Sequence, residues 1–482
     1  LPVATAQESP TTYVAGRWQD PDTRFTVTDP ADGSPVGSIG WGDAAGARAA
    51  VDAAAAAFDD WSRTPARRRG ELLRAAADLL AARADRIGLL LARESGKRLP
   101  EAAGEVSFAG DYLRWFADAA GQTEGRTLAP VQVGRHHLTL RRPAGLALSL
   151  TPWNFPVSIP ARKLAAALAA GCTVVARVSE KAPLAAVELI RCLADAGFPA
   201  GTVNLVHGPA AELTAELLRQ PPVRVVSFTG STAVGRQIMA QASARVVRPL
   251  LELGGNAAFI VCDDADLDAA VAGALIAKFR NNGQSCIAAN RFFVQDGIYD
   301  RFVERLVDAV DVFTLGAGTA VPAPDLSALI DNERVTAVDA LVDEAMSAGA
   351  RRLTREFTLP ARGSFAAPAL LAGVPDDVGL ARTEVFGPVA GIFRFHDEAD
   401  VLARANATEL GLASYVYTGN AERLLRISEG LEAGIVGCNC ALPSVAFAPM
   451  GGLKQSGLGR EGGHEGLDEF TELQYLAVGE AA

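Results

Sequence analysis

Leu146-Ala147-Leu148-Ser149-Leu150 opens the stretch that decides the fold. It is the first of four apolar runs, at 146–150, 173–178, 203–206 and 223–228. Between them lie segments near 157–170, 183–196, 211–220 and 232–242 whose apolar residues recur at helical spacing. Continuous apolar runs suit strands buried on both faces, and strands that alternate with helices are joined in parallel. An α/β fold with a parallel sheet covered by helices is therefore expected. A second alternation follows Gly255, with apolar runs at 257–262 and 291–295 around a helical segment near 266–280, and it marks a second α/β domain.

Outward from this core, residues 46–120 place Leu72, Leu73, Ala76, Leu79, Leu80 and Ala84 at helical spacing and read as packed helices. Segments 131–142 and 470–476 have strand character, and exposed strands of that kind pair across subunits. Pro- and Gly-rich text at 316–324 and 359–368 reads as surface loop.

The bulk composition narrows the function. The chain has 482 residues, 49% hydrophobic and 21% charged, and its net charge of -11 argues against a general nucleic-acid or anionic-membrane binder. No stretch is long and apolar enough to span a bilayer, and residues 1–20 lack the pattern of a secretory signal. The chain opens Leu1-Pro2, which leaves the position of the native start open. Of 45 basic residues only Lys97, Lys163, Lys181, Lys278 and Lys454 are lysines, a bias attributed to genomic composition. Six cysteines without CxxC spacing point to free thiols in a reducing cytoplasm, and the five histidines form no metal-ligand spacing, so no metal is expected.

The chemistry starts from Glu252, set among Leu251, Leu253 and Gly254, and from Cys286, which follows the polar run Asn281-Asn282-Gly283-Gln284-Ser285. A thiol attacks carbonyl carbon as thiolate, and a carboxylate poorly solvated by apolar neighbours accepts a proton near neutral pH. Nucleophile and base are thus both on offer. Asn154, where the first apolar run ends, has an amide able to donate to an oxyanion. Gly230 and Ser231, between the fourth run and a helix, suit a pyrophosphate or a plain capped turn. By contrast, the GxGxxG match at 457–462 follows no apolar run and opens no βαβ unit.

Taken in order, TPWNFP from 151, FTGSTAVG from 228, LELGGN from 251, GQSC from 283, EVFGP from 384 and GGLKQSGLGREGG from 451 resemble the aldehyde dehydrogenase superfamily over nearly the whole chain. The resemblance implies a Rossmann-like cofactor domain (1–125 and 144–250), a second α/β catalytic domain (251–455) and a small β oligomerisation arm (126–143 and 463–482), hence a homodimer or homotetramer. It implies Cys286 as nucleophile, Glu252 as base for deacylation and Asn154 in the oxyanion site, with a thiohemiacetal and a thioester along the way. Pro152, Trp153, Gly230, Ser231, Leu253, Glu384 and Phe386 fall in its cofactor site, and Lys163 and Glu461 at positions linked to proton relay.

Within the superfamily, Arg162, Arg280 and Ser444 resemble the substrate contacts of succinate-semialdehyde dehydrogenases. A four-carbon aldehyde with a distal carboxylate calls for guanidinium forks and a hydroxyl. Oxidation of succinate semialdehyde to succinate is the expected reaction. Glutarate semialdehyde or a more apolar aldehyde is the alternative, and a CoA-acylating enzyme or a silent scaffold is a more distant one. Arg177-Val178 replaces the Lys-Pro of most relatives. Glu180 argues for NAD, whereas Arg177 and Ser179 argue for NADP, and the balance leans to NAD.

Overall fold

The computed structural model describes residues 9–479. Residues 1–8 and 480–482, which fall within the expected cofactor domain and arm, lie outside the described residues. The first sheet has a parallel heart in the order Val203–Leu205, Thr173–Val178, Leu146–Thr151, Val223–Thr229 and Arg248–Glu252. Every residue of Leu146–Thr151 and Thr173–Val178 is buried, as strands covered on both faces require. Short antiparallel strands close its edges, Thr12–Val14 with Arg17–Gln19 on one side and Gly457–Leu458 on the other. Runs of two or three residues carry no periodicity, so these edges have no signature in the sequence. The first sheet also continues through Glu252, two residues past the expected division at 250.

The helix Ser158–Ala170 packs against this sheet with all 13 residues buried, including Arg162 and Lys163. A helix apolar nearly all round belongs inside a protein, and its two charges therefore need partners there. The second sheet runs Arg351–Arg352, Ala369–Ala372, Val389–Phe395, Ala289–Gln295, Ala257–Val261, Ala413–Tyr417 and Ile435–Cys438, parallel except at its first strand. A third sheet pairs Arg126–Leu128, Arg135–Pro143 and Thr471–Gly479 antiparallel and leaves Leu140, Leu473, Tyr475 and Val478 exposed.

Four residues, Leu253-Gly254-Gly255-Asn256, separate the end of Arg248–Glu252 from the start of Ala257–Val261. The carboxyl ends of the first sheet's strands are thereby set against the amino ends of the second's, and the site forms in that seam. Close approach explains Gly255: a Cβ there would lie 2.1 Å from the carbonyl oxygen of Cys286. The GxGxxG segment serves the edge, since Gly457 pairs with Glu252 and a Cβ on it would meet the Leu251 carbonyl at 2.0 Å. Among the described residues no helix is long and apolar enough to cross a membrane.

Candidate active site

Four strands of the first sheet deliver residues to one edge. Asn154 follows Leu146–Thr151, Arg177 lies in Thr173–Val178, Gly230 and Ser231 follow Val223–Thr229, and Glu252 ends Arg248–Glu252. From the second sheet, Cys286 precedes Ala289–Gln295 and Glu384 precedes Val389–Phe395. Ligands in α/β folds bind at such carboxyl-end edges because loops diverge there and leave a crevice.

Cys286 Sγ lies 3.5 Å from Glu252 Oε1. Burial, with the carboxylates of Glu252 and Glu384, pushes the thiol well above its ordinary value, so the sulfur is protonated until a neighbour takes its proton. Glu252 is the carboxylate in reach. Its other oxygen accepts from Arg162 Nη2 at 2.6 Å and from Thr229 Oγ1 at 3.1 Å. Arg162 Nε lies 2.6 Å from Glu461 Oε2, and its Nη1 meets Met450 Sδ at 2.7 Å. Burial opposes the charge of Arg162, yet Glu461 and Glu252 outweigh it and hold the guanidinium well above its usual value. Lys163 Nζ donates to Glu461 and, at 2.9 Å, to Ser227 Oγ. A buried chain of alternating charge thus runs from Lys163 through Glu461 and Arg162 to Glu252.

Asn154 is buried, and its Nδ2 donates to the Gln284 carbonyl at 3.2 Å, beside Cys286. The carbonyl of Asn154 accepts from Lys97 Nζ and Asn281 Nδ2, each at 3.0 Å. Lys97 also pairs with Glu105, whose Oε1 accepts from the amides of Val157 at 2.9 Å and Ser158 at 3.2 Å. Both ends of the Asn154 loop are therefore held by one buried ion pair. Asn281 and Asn282 adopt left-handed backbone at φ 54° and 57°, a region asparagine tolerates. Asn282 Nδ2 donates to Ser327 Oγ and the Ala328 carbonyl, each at 3.1 Å, which fixes the turn that carries Cys286.

The sequence assigns no role to Lys97, Glu105, Thr229 or Lys278. A signal for the lysines was present. In a chain with 40 arginines, three of its five lysines, Lys97, Lys163 and Lys278, are 1% exposed or less. A compact ammonium fits where the broad guanidinium does not. Lys278 Nζ donates to Asn290 Oδ1 at 2.9 Å, and burial brings its pKa down to about 7. Replacing Lys97 by Met strands the Glu105 carboxylate in the core and is expected to cost about 3 kcal/mol. Lys97→Met should show this as a lowered melting temperature, partly restored in Lys97→Met/Glu105→Leu. An unchanged Lys97→Met melting curve would remove the ion pair from the account of loop stability.

A dinucleotide fits the same edge. Ser231 caps the helix Thr232–Ser243, accepting from the Val234 amide at 3.4 Å, and Ser231, Ala233 and Val234 are exposed, leaving the helix start open to an anion. Glu384 Oε1 accepts from the Gly255 amide at 3.1 Å; a Cβ on Gly254 would meet Oε2 at 2.9 Å, a cradle kept clear by glycine. The rings of Phe386 and Trp153 meet edge-on at 5.4 Å, both half-buried, with Pro152 beside them. Leu253 packs against Gly235 of the same helix. Arg177 Nη2 pairs with Glu180 at 2.5 Å, and Ser179 Oγ accepts from the Lys181 amide at 3.3 Å. With Glu180 neutralised by Arg177, the repulsion of a 2′-phosphate that favoured NAD is lost, and the lean to NAD has no support. NAD or NADP is what the family uses.

Of the expected substrate contacts, Arg280 stands half-buried over the Phe155 ring at 5.1 Å, and Ser444 Oγ lies 3.5 Å from Met450 Sδ. Arg162, 4% exposed, is already engaged by two carboxylates. Among the described residues no group of three or more His, Cys, Asp or Glu side chains is placed to hold a metal ion.

Known proteins resemble the chain over nearly its whole length. The family model described as "Aldehyde dehydrogenase family" matches residues 18–476. The chain is 42% identical over 468 residues to a succinate-semialdehyde dehydrogenase (NADP(+)) of Escherichia coli K12, covering 97% of both chains. It is 42% identical, with 97% of both covered, to a glutarate-semialdehyde dehydrogenase of Pseudomonas putida KT2440. The crystal structure of succinate-semialdehyde dehydrogenase from Burkholderia pseudomallei superposes with a TM-score of 0.95 at 42% identity over 98% of each chain. A thiol and a carboxylate facing each other in the seam of two such sheets, under a family match over nearly the full length, leave one conclusion: the chain belongs to the aldehyde dehydrogenase family and has its fold.

Proposed function

We propose that the chain oxidises an aldehyde bearing a distal carboxylate, succinate semialdehyde to succinate, with NAD or NADP as hydride acceptor. The observation that carries this is the placement of Cys286 against Glu252 with Arg162 and Ser444 converging on Met450 at one side and Arg280 at another. Cys286 Sγ adds to the aldehyde carbon after Glu252 takes its proton, and the Asn154 amide with the Cys286 backbone N–H receives the charge that develops on oxygen. The bound nicotinamide supplies a hydride acceptor. Glu252, having released the thiol proton to solvent, then takes a proton from the water that cleaves the thioester and returns it to the departing sulfur. Lys163 and Glu461 reach Glu252 only through the Arg162 guanidinium, which keeps its protons, and so hold it in place. Glutarate semialdehyde is the second candidate, favoured by the relatives of that name, and one methylene in a pocket is worth only about 1–3 kcal/mol.

Rates of NAD(P)H formation across aldehydes test the assignment. Equal or better kcat/KM for propanal than for succinate semialdehyde would overturn it. Arg280→Ala is expected to raise KM for carboxylated aldehydes about 10- to 100-fold, the worth of a charge-assisted hydrogen bond, with little change for propanal. An unchanged KM would place Arg280 outside the pocket.

Glu384 is assigned to the ribose of the cofactor. Burial raises its carboxyl to about 7. Above that pH the ionised group accepts a ribose hydroxyl as a charge-assisted bond, and below it the neutral acid accepts more weakly. Cofactor Kd should therefore rise roughly fivefold from pH 8 to pH 6, and the Glu384→Gln variant should show a flat profile when followed by tryptophan fluorescence. A flat profile in the parent enzyme would remove Glu384 from this role.

The exposed apolar residues of the third sheet, Leu140, Leu473, Tyr475 and Val478, support assembly into a homodimer or homotetramer. The six free cysteines fit a cytoplasmic setting.

A further inference from the structure

Glu252 has two tasks that its position serves unequally. Its Oε1 lies 3.5 Å from Cys286 Sγ, close enough to take the thiol proton, and leaves no room for a water on the line between them, which would span about 5.6 Å. A water held in line between the base and the acylated sulfur requires Glu252 to draw back. What ties it in place is Oε2, held by Arg162 Nη2 at 2.6 Å and Thr229 Oγ1 at 3.1 Å in a buried pocket.

Arg162 is not saturated by good partners. Its Nη1 rests on Met450 Sδ, a thioether and a weak acceptor, and Nε meets Glu461 Oε2 at 2.6 Å without hydrogen-bond alignment. Ser444 Oγ approaches the same sulfur at 3.5 Å. An anion displacing that sulfur gains a guanidinium edge and a hydroxyl together. It also adds a third negative charge, beside Glu252 and Glu461, to the guanidinium that holds Glu252.

We propose that the anionic end of the substrate releases Glu252 by competing for Arg162, so that the carboxylate which anchors the aldehyde also frees the base for deacylation. This rests on the assignment of a distal carboxylate made above. In the step concerned, water adds to the thioester carbon while Glu252 accepts its proton. The C–S bond breaks, the acid leaves, and the sulfur recovers a proton from Glu252. Arg162 is a positioning residue here: it acts through Glu252.

The test splits the four-carbon substrate in two and needs no cofactor. The full-length enzyme is acetylated at Cys286 with p-nitrophenyl acetate, excess reagent is removed, and loss of the acetyl group is followed by intact mass. Acetate, added in trans to supply the missing half, should accelerate deacylation on the order of tenfold with saturation, a fraction of what a general base contributes. Chloride at equal ionic strength should not. The Arg162→Gln variant should show no acetate effect and deacylate faster than the parent without it. Should that variant fail to fold, the parent enzyme with acetate and chloride decides the matter. No acceleration, or slowing by acetate, with the preference for succinate semialdehyde over propanal intact, overturns this inference alone. Loss of that preference overturns the substrate assignment and the anionic trigger with it.

Discussion

Cys286→Ser is expected to reduce kcat/KM for aldehyde oxidation by about 10⁴-fold or more, below the limit of a routine NAD(P)H assay. The cleft already pushes the thiol well above its ordinary value, through burial and the two carboxylates Glu252 and Glu384. A hydroxyl starts several units higher still and meets the same opposition. The oxygen also forms a shorter, stiffer side chain, so the approach to Glu252 now at 3.5 Å widens. The variant should fold normally, since a half-buried thiol and a hydroxyl differ little in volume, and circular dichroism with an unchanged melting temperature would establish that. Turnover within tenfold of the parent would remove Cys286 as nucleophile and with it the covalent route.

Glu252→Gln is expected to lower steady-state turnover by about 10²- to 10⁴-fold, the usual worth of a general base. The distinguishing observation is the form of the progress curve. The amide holds the place of the carboxylate and keeps an oxygen for Arg162, but it accepts no proton from water. One equivalent of NAD(P)H per active site should appear and then stop, slowed by the loss of the base that takes the thiol proton. Intact mass should show the acyl group retained on the enzyme. Steady turnover without an acyl adduct would transfer the task to another residue, and Glu461, tied to Lys163 and Arg162, would be the nearest carboxylate in the chain of charges.

These expectations come from residues whose legibility in the sequence differed. Cys286 was visible because a thiol flanked by asparagine, glutamine and serine has no reason to be in an apolar core. Glu252 was visible because a carboxylate between leucines has none either. Arg162 was found with the wrong neighbours in view: the family resemblance marked it as a substrate contact, but not that Glu252 and Glu461 already claim it. Glu252 and Glu461 are 90 and 299 residues along the chain from Arg162, and no local pattern encodes such contacts. Glu180 misled for a related reason. Its charge was read alone, whereas three residues away Arg177 turns its guanidinium onto it.

The alternation of apolar runs and helical spacing settled that two parallel sheets are covered by helices, because period and run length are local quantities set by how many faces a strand buries. The order of strands in each sheet, the two-residue edges, and the seam that brings Glu252 to Cys286 were decided by packing. Contacts between residues far apart in the chain form only when whole elements dock, and their geometry follows from backbone approach at positions such as Gly255. The residue types named the chemistry; the fold chose which charges face one another, and so which carboxylate is held and which is free to act.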